Sequence, residues 1–227
     1  MLSLKNISKS FGGIKAVNRC TFEVEENTIT SLIGPNGAGK TTVFNIISGL
    51  IRADAGTIKL LKKNLTQMPA YKIAQAGISR TFQLTKVFRN MTIKDNLLIA
   101  NNTDEQEMKQ VLESVYLHKP LDTIASELSY GQQRLLELAR ALLKQHSLLM
   151  LDEPTAGVNP KIRQELKSIL KNLKNKGKTV FLIEHDMEFV MDISDIVIVL
   201  NEGKVLKIGK PKEIIRDKKV LEAYLGK

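Results

Sequence analysis

The chain has 227 residues, of which 43% are hydrophobic, and its 34 basic and 24 acidic residues give a net charge of +10. This size and apolar content suffice for one domain with a substantial core, and no run approaches the ~20 apolar residues of a membrane-spanning helix. Residues 1–5 form no signal-peptide core, so we expect a cytosolic chain. The single cysteine, Cys20, alternates with Phe22 and Val24 as in a strand, which predicts a buried core residue.

The positive charge would suit nucleic acid, an anionic membrane surface or a phosphorylated ligand, and it would also suit a solvated lysine-rich surface. The basic residues are scattered, with local clusters at 171–178 and 204–212. Aromatic residues are few and tryptophan is absent, so the chain offers little for bases to stack on. No nucleic-acid partner is expected.

Hydrophobic patterning predicts strands at the start of the chain. Two β-rich stretches, 2–7 and 20–25, precede the apolar run 29–33. That run has the length of a strand and ends at a glycine, so we expect a strand that leads directly into a turn.

The turn is a glycine loop with the spacing G-x-x-x-x-G-K-T. It reads Gly34-Pro35-Asn36-Gly37-Ala38-Gly39-Lys40-Thr41. A strand before it and the helix-compatible residues 42–47 after it supply the context in which this pattern binds phosphate. Its glycines let successive N–H groups face phosphate oxygens, and the helix N-terminus adds a positive dipole end.

The side chains that end the loop complete this prediction. Lys40 would place a charge on the terminal phosphates, and the Thr41 hydroxyl would ligate Mg²⁺. A glycine-rich turn that binds nothing is the alternative, and the lysine and threonine at these positions argue against it. The candidate nucleotide contacts are Gly34, Pro35, Asn36, Gly37, Ala38, Gly39, Lys40, Thr41 and Thr42. The sequence therefore predicts a site for a nucleoside triphosphate.

Downstream, the pattern changes from strands to helices. Gly49 is expected to end the first helix, and strands are predicted at 56–60 and 78–82. From 92 to 145 the pattern is helical. Its strongest part is 131–145, whose apolar residues recur at i, i+3, i+4 and i+7.

Strands and helices alternate in the rest of the chain. Strands are predicted at 147–151 and 178–183, another apolar run lies at 194–200, and a helix is predicted from Pro160 to a stop at Gly177. This alternation predicts an α/β fold with a parallel sheet covered by helices on both faces. With no Pro-, Gly- or Ser-rich linker, we expect 1–227 to be a single domain. Its core would be 1–82 and 146–227, and its inserted helical lobe 83–145.

Two carboxylates end the predicted strand at 147–151. Asp152 would be delivered to the crevice at the carboxyl ends of the strands, beside the glycine loop, where it is the natural acidic partner of Mg²⁺. Glu153, one residue further, would orient or deprotonate a water in line with the γ-phosphate. A solvated acidic pair is the alternative, which the glycine loop disfavours.

A second helix start follows Leu128. Ser129 is a good N-cap, and Gly131 would expose backbone N–H groups, so this end of the helix could hold phosphate. Alone, the sequence Leu128-Ser129-Tyr130-Gly131-Gln132 would mean no more than a capped helix.

Five motifs in one order resemble the nucleotide-binding subunit of an ATP-binding-cassette (ABC) transporter. They are the glycine loop, Gln83 after an apolar strand, the Ser129 segment, the Asp152-Glu153 strand and His185. The resemblance covers nearly the whole chain. It implies a P-loop NTPase core with an antiparallel β subdomain and an inserted helical lobe. It also implies a head-to-tail pair of subunits with ATP between them, the glycine loop of one facing the signature of the other.

The resemblance also implies roles for individual residues. Phe11 would stack on adenine, with ordinary packing as the alternative, and Val17 would lie beside it. Gln83 would sense Mg²⁺ and water, and His185 would contact the γ-phosphate. The signature residues Ser129, Gly131 and Gln132 would bind nucleotide from the partner. The implied catalytic residues are Glu153, His185, Gln83 and Lys40, and the implied Mg²⁺ ligands are Thr41, Gln83 and Asp152.

Less general stretches are similar to the ATPase subunit of branched-chain amino-acid importers. They are Phe11-Gly12-Gly13, residues 16–18, Arg80-Thr81-Phe82-Gln83, residues 156–160, residues 183–187 and residues 223–226. Tyr130 replaces a glycine that is usual in the wider family, and Asn159 replaces an aspartate; both are familiar in this branch.

This narrower likeness implies a set of partners and a location. We expect a homodimer or a heterodimer with a related ATPase subunit, bound to integral-membrane permease subunits and, through them, to a substrate-binding protein. The location would be the cytoplasmic face of the membrane. The ATPase of a lipid or lipopolysaccharide exporter remains an alternative. A non-transport cassette acting on DNA or the ribosome is another, disfavoured by a single cassette and one cysteine.

Overall fold

The computed structural model describes residues 1–83 and 85–225. Gly226, which ends one of the stretches used in the sequence comparison, lies outside the described residues. The strands are β1 (Leu2–Phe11), β2 (Ile14–Val24), β3 (Ile29–Ile33), β4 (Ala55–Leu60), β5 (Lys63–Asn64), β6 (Ile78–Arg80), β7 (Leu148–Asp152), β8 (Thr179–Ile183), β9 (Ile196–Asn201) and β10 (Lys204–Gly209).

Helices lie between and after these strands. They are α1 (Lys40–Ile47), α2 (Ala70–Gln75), α3 (Ile93–Ala100), α4 (Glu105–Ser114), α5 (Tyr130–Leu143), α6 (Pro160–Asn175), α7 (Met187–Ile193), α8 (Pro211–Ile214) and α9 (Lys218–Leu225), with a 3₁₀ turn at Ala125–Glu127. In the described part of the chain, no helix is both long enough and apolar enough to cross a bilayer.

The strands form two sheets. One is antiparallel with the order β2-β1-β4-β5, and the other has six strands in the order β10-β9-β3-β8-β7-β6. In the second sheet β9, β3, β8, β7 and β6 run parallel, and β10 pairs antiparallel at one edge. The α/β prediction with a parallel sheet is confirmed.

The parallel sheet is buried on both faces. Every residue of β3, β7 and β8 is buried, as expected for strands that are covered by helices on each side. The register pairs Leu32 with Ile183 and Ile183 with Asp152. Because parallel strands end at the same edge, the chain leaves β3, β7 and β8 at neighbouring points.

Aromatic packing joins the two sheets. Phe181 of β8 is fully buried between Phe22 of β2 and Phe44 of α1, with ring centroids 5.7 and 4.9 Å away. Such tilted pairs add to the stabilisation that burial itself provides. Cys20 belongs to the same buried cluster, and burial raises the pKa of its thiol to about 12. The prediction that Cys20 is a core residue is confirmed.

The stretch from 92 to 145, whose pattern is helical, contains three α-helices and the 3₁₀ turn. Thr92 caps α3 and Asp104 caps α4, each accepting a bond from an N–H in the first turn. Ser129 caps α5 as predicted, and its bond with Gln132 is reciprocal, as in a capping box. Apolar faces of α3, α4 and α5 share a cluster with α6 and β7.

We expect Phe181→Ala to lower the free energy of unfolding by about 3–5 kcal/mol, because truncation leaves a cavity between two sheets. Chemical denaturation at equilibrium measures the change. The control Ile215→Ala alters a side chain that is 54% exposed and should change stability by less than about 0.5 kcal/mol. Equal stability of the two variants would contradict this account of the core.

Candidate functional site

The glycine loop joins β3 to α1, and two of its glycines are required by close backbone contacts. A Cβ on Gly34 would lie 2.2 Å from the Leu200 carbonyl oxygen, and one on Gly39 would lie 2.3 Å from that of Ala16. Gly39 is also left-handed, with φ of 98°, and caps α1. The loop is therefore held against β9 and β2, and the N-terminal N–H groups of α1 lie at its end.

Lys40 turns back into the loop. Its Nζ donates to the carbonyl oxygens of Gly34, at 2.7 Å, and Pro35, at 3.0 Å. Two of the three ammonium donors are thus engaged, and one is left for an anion. Burial lowers the pKa of Lys40, and the charge of Glu153 opposes this effect. Lys40 and Glu153 are therefore close enough to interact electrostatically.

Thr41 and Thr42 form the first turn of α1, with Thr41 exposed and Thr42 half-buried. Asn36 and Gly37 are exposed at the tip of the loop, whereas Ala38 is buried. Groups at a helix N-terminus whose side chains remain accessible can meet a phosphate or a cation bound to it.

Asp152 ends β7 and is 3% exposed. Its Oδ2 accepts a hydrogen bond of 2.8 Å from Arg80 Nη2, and Arg80 also donates to the Ser48 hydroxyl at 2.6 Å. Burial raises the pKa of Asp152, and the hydrogen bond and charge of Arg80 oppose that rise. Arg80 therefore orients the carboxylate and leaves Oδ1 free of protein bonds among the described residues.

Glu153 contacts two side chains from the segments that follow β6 and β8. Gln83 Nε2 donates to Oε2 at 2.9 Å, and His185 Nε2 lies 2.6 Å from Oε1. The backbone of Glu153 is left-handed, with φ of 48°, which is uncommon for a residue with a side chain and is concentrated at functional positions. The three residues that sequence analysis predicted separately are thus in contact.

The start of α5 makes its hydrogen bonds outside the glycine loop. Within residues 1–83 and 85–225, no hydrogen bond or ion pair joins Ser129, Gly131 or Gln132 to the glycine loop. Ser129 is exposed and Gly131 is buried. A Cβ on Gly131 would lie 2.8 Å from Cγ1 of Ile162, so the glycine is required by the close approach of α6. The prediction that Gly131 exposes backbone N–H groups to a phosphate stays a prediction.

Phe11 and Val17 differ in accessibility. Phe11, at the end of β1, is 48% exposed, so part of its ring is accessible to a stacking partner, while Lys9 Nζ lies over the ring 5.4 Å from its centroid. Val17 has no exposed surface and packs in the core. The predicted nucleotide contact of Val17 stays a prediction.

Sequence reasoning missed the residues that hold the Gln83 segment. Arg134 of α5 donates to the carbonyl oxygens of Phe82, at 2.6 Å, and Gln83, and Glu137 accepts from the Phe82 N–H at 3.3 Å. The two side chains are buried and pair with each other at 3.3 Å. A buried pair spaced i, i+3 among leucines was the available signal. The same bonds explain why β6 ends at Arg80 rather than at residue 82 as predicted.

These residues together fit a phosphate ester with a divalent cation. The loop supplies N–H donors and a lysine, and Asp152 supplies one carboxylate next to it. The described residues hold no cluster of three or more His, Cys, Asp or Glu suited to a metal. Mg²⁺ needs none, because it uses one or two carboxylates together with substrate phosphates and water.

Known proteins resemble the chain over its whole length. The family model described as ABC transporter matches residues 17–156. The high-affinity branched-chain amino acid transport ATP-binding protein LivG of Salmonella typhimurium is 42% identical, with 100% of this chain and 98% of LivG covered. BraF of Pseudomonas aeruginosa, which has the same description, is 41% identical with the same coverage. The lipopolysaccharide export system ATP-binding protein LptB of Haemophilus influenzae is 32% identical, with 100% and 97% covered.

Solved structures show the same fold. A nucleotide-free ATP-binding cassette from an ABC transporter has a TM-score of 0.92 at 32% identity, covering 100% of this chain and 99% of that one. The ADP conformation of such a cassette has a TM-score of 0.91, also at 32% identity, with the same coverage.

We expect Lys40→Ala to weaken equilibrium binding of ATP by at least about tenfold, since one charge-assisted bond to phosphate is worth about 1.5–3 kcal/mol. Titration calorimetry measures the dissociation constant. The control Lys63→Ala removes an equal charge from the exposed strand β5 and should leave the affinity unchanged. Unaltered binding by Lys40→Ala would count against the glycine loop as the phosphate site.

Proposed function

Because the chain belongs to the ABC transporter family, and its motifs and relatives are those of an ABC ATPase, we propose that it powers an importer of branched-chain amino acids. The full-length identity of 41–42% to LivG and BraF supports import, and the lower identity of 32% to LptB makes export the weaker alternative. The observation that carries the catalytic proposal is the convergence of Gln83 and His185 on Glu153, beside Asp152 and the glycine loop.

In this proposal the glycine loop binds the triphosphate of ATP. Residues Gly34 to Thr42 surround the phosphates, and Lys40 neutralises charge on the β- and γ-phosphates. Phe11 stacks on the adenine, which suits its exposed ring. Because the loop N–H groups and the lysine are already held in place, they stabilise developing charge without reorganisation.

Mg²⁺ would be held by Thr41, Asp152 and Gln83. A cation held there would supply positive charge that offsets the negative charge developing on the phosphoryl group. Arg80 fixes Asp152 so that Oδ1 faces away from the arginine. The amide of Gln83 donates to Glu153, and its carbonyl oxygen is the group that remains for a cation.

Glu153 would act on the attacking water. Its two oxygens contact Gln83 and His185, so the carboxylate is oriented before substrate arrives. His185, exposed at its ring, would contact the γ-phosphate while it stays next to the base. General-base catalysis by a positioned carboxylate contributes about 10²–10⁴-fold to the rate.

The signature would act on the ATP of a second subunit. Ser129 is exposed and, among the described residues, makes no hydrogen bond to the glycine loop of its own chain, so its hydroxyl is available to a partner. A head-to-tail pair would then form two equal sites, each with the loop of one subunit and the Ser129, Gly131 and Gln132 of the other. Closure around ATP is the motion that transport would use.

The chain would be divided into a core and a helical subdomain and would act with other subunits. The core would be residues 1–82 and 146–227, and the helical subdomain with the signature would be residues 83–145. Integral-membrane permease subunits would bind the ATPase dimer at the cytoplasmic face of the membrane, and a substrate-binding protein would deliver the amino acid to them. The pair could be a homodimer or a heterodimer with a related ATPase.

Glu153→Gln is expected to reduce turnover of ATP by at least about 10²-fold, because the amide keeps the shape and loses the base. Binding of ATP should stay within about twofold of the wild-type value, since the change acts on water rather than on phosphate. Phosphate release at saturating ATP and a binding titration measure the two effects. The control Glu113→Gln makes the same change at an exposed carboxylate of α4. Near-normal hydrolysis by Glu153→Gln would remove Glu153 from this role.

The Glu153→Gln protein should be monomeric without nucleotide and dimeric with ATP. Adding Ser129→Arg should abolish the dimer, because a large cation is placed where two basic subunits must meet. Analytical ultracentrifugation distinguishes the species. Ser114→Arg in the same background adds the same charge on α4 and should leave the dimer intact. A Ser129→Arg, Glu153→Gln protein that still dimerises with ATP would refute the arrangement in which the signature acts across the interface.

A further inference from the structure

Glu184 is a buried carboxylate that the proposed chemistry does not use. It follows directly after β8, precedes His185 and is 2% exposed. An ionised side chain taken out of water is costly unless its oxygens are fully bonded. The bonds that Glu184 accepts therefore decide whether its ionised form is stable in this position.

One oxygen of Glu184 bonds the segment after β7. Oε1 accepts from the Thr155 N–H at 2.8 Å and from the Thr155 hydroxyl at 2.7 Å. Thr155 lies two residues beyond Glu153. This oxygen therefore fixes the turn that follows the base.

The other oxygen bonds the segment after β8. Oε2 accepts from the N–H of His185 at 3.0 Å and from the N–H of Asp186 at 3.4 Å. All four partners of the carboxylate are donors, and an ionised carboxylate is the side chain that only accepts. Burial raises the pKa of Glu184, and the hydrogen bonds from Thr155, His185 and Asp186 oppose the rise.

The far side of the His185 segment is anchored separately. Asp186 caps α7 by accepting from the Phe189 N–H, and Arg163 of α6 pairs with it at 2.8 Å. The Glu153 N–H also donates to the Ile183 carbonyl oxygen at 3.0 Å. Beyond this last bond of the sheet, the buried carboxylate of Glu184 bonds the backbone of both segments, next to the contact between Glu153 and His185.

We propose that Glu184 is a positioning residue that sets the separation of Glu153 and His185. Its carboxylate bonds Thr155, two residues beyond Glu153, and the N–H of His185 itself, so the 2.6 Å contact between Glu153 and His185 depends on it. This inference rests on the proposed ATPase site and adds a residue to it. An error of about 1 Å in such a pair can cost ~10²-fold in rate.

Kinetics of ATP hydrolysis test the role. Glu184→Ala should lower kcat by about 10²-fold with KM for ATP within about threefold, because the four bonds of Glu184 go to Thr155, His185 and Asp186 rather than to the glycine loop. Glu184→Gln keeps one accepting oxygen and should lie between Ala and wild type. The control Asp195→Asn alters a carboxylate that accepts from the Ile29 N–H at the opposite end of β3, and it should leave kcat unchanged. Normal kcat in folded Glu184→Ala would overturn the proposal.

NMR of the histidine rings tests the geometry without nucleotide. The chain has three histidines, His118, His146 and His185, and the His185 signal is identified by its loss in His185→Ala. In Glu184→Ala this signal should move to its position in Glu153→Ala, and Asp195→Asn should leave it in place. A His185 signal unchanged in Glu184→Ala would refute the proposal. If wild type hydrolyses no ATP, the proposed function fails, while this spectrum still decides the role of Glu184.

Thr155→Val tests the same link if the Glu184 variants do not fold. It removes one of the four bonds and keeps the shape of the side chain, and we expect kcat to fall by about 3–10-fold. It should shift the His185 signal in the same direction, by less. Wild-type kcat together with a wild-type His185 signal in Thr155→Val would contradict the link through Glu184.

Discussion

The site depends on one constraint, which is that parallel strands end at the same edge of a sheet. Pairing of β3, β8, β7 and β6 places the glycine loop, Glu184, Glu153 and Thr81 within one crevice. Residues far apart in sequence, such as the paired Leu32 and Ile183, then lie side by side. Because every residue of β3, β7 and β8 is buried, the polar groups that follow these strands start from well-packed positions.

Rigid strand ends account for the electrostatics of the crevice. Asp152 and Lys40 are both buried, and burial disfavours the charged form of each. Arg80 offsets this for Asp152 and Glu153 offsets it for Lys40. A phosphate that enters the site would therefore meet charges that already have fixed partners, which is the condition for preorganised catalysis.

Much of the fold could be predicted because its strands carry strong patterns. The bounds of β3 were predicted as they are found, since an apolar run of strand length ends at a glycine. The strands β1 and β2 are longer than predicted, because their outer halves are exposed and lack a continuous apolar pattern. Helices α2, α7, α8 and α9 were not predicted. The first three have seven residues or fewer, and too short a stretch gives no helical period.

The site was predictable where a motif carries its own chemistry. Lys40, Asp152 and Glu153 follow from residue type and from position at a strand end. Arg80 could not be assigned to Asp152, because that contact depends on the pairing of β6 with β7. Glu184 has no local signal either, as its donors come from two different loops. The need for glycine at 131 comes from the approach of α6, which the sequence does not state.

A structure of the Glu153→Gln protein with ATP and Mg²⁺ tests the central claim most directly. The account predicts a triphosphate between two subunits, with Lys40 Nζ and the partner's Ser129 hydroxyl each about 3 Å from γ-phosphate oxygens. Asp152 and Thr41 should lie on the cation side, and His185 should face the γ-phosphate. A nucleotide bound away from the glycine loop, or a γ-phosphate without Ser129 from the second subunit, would contradict the account.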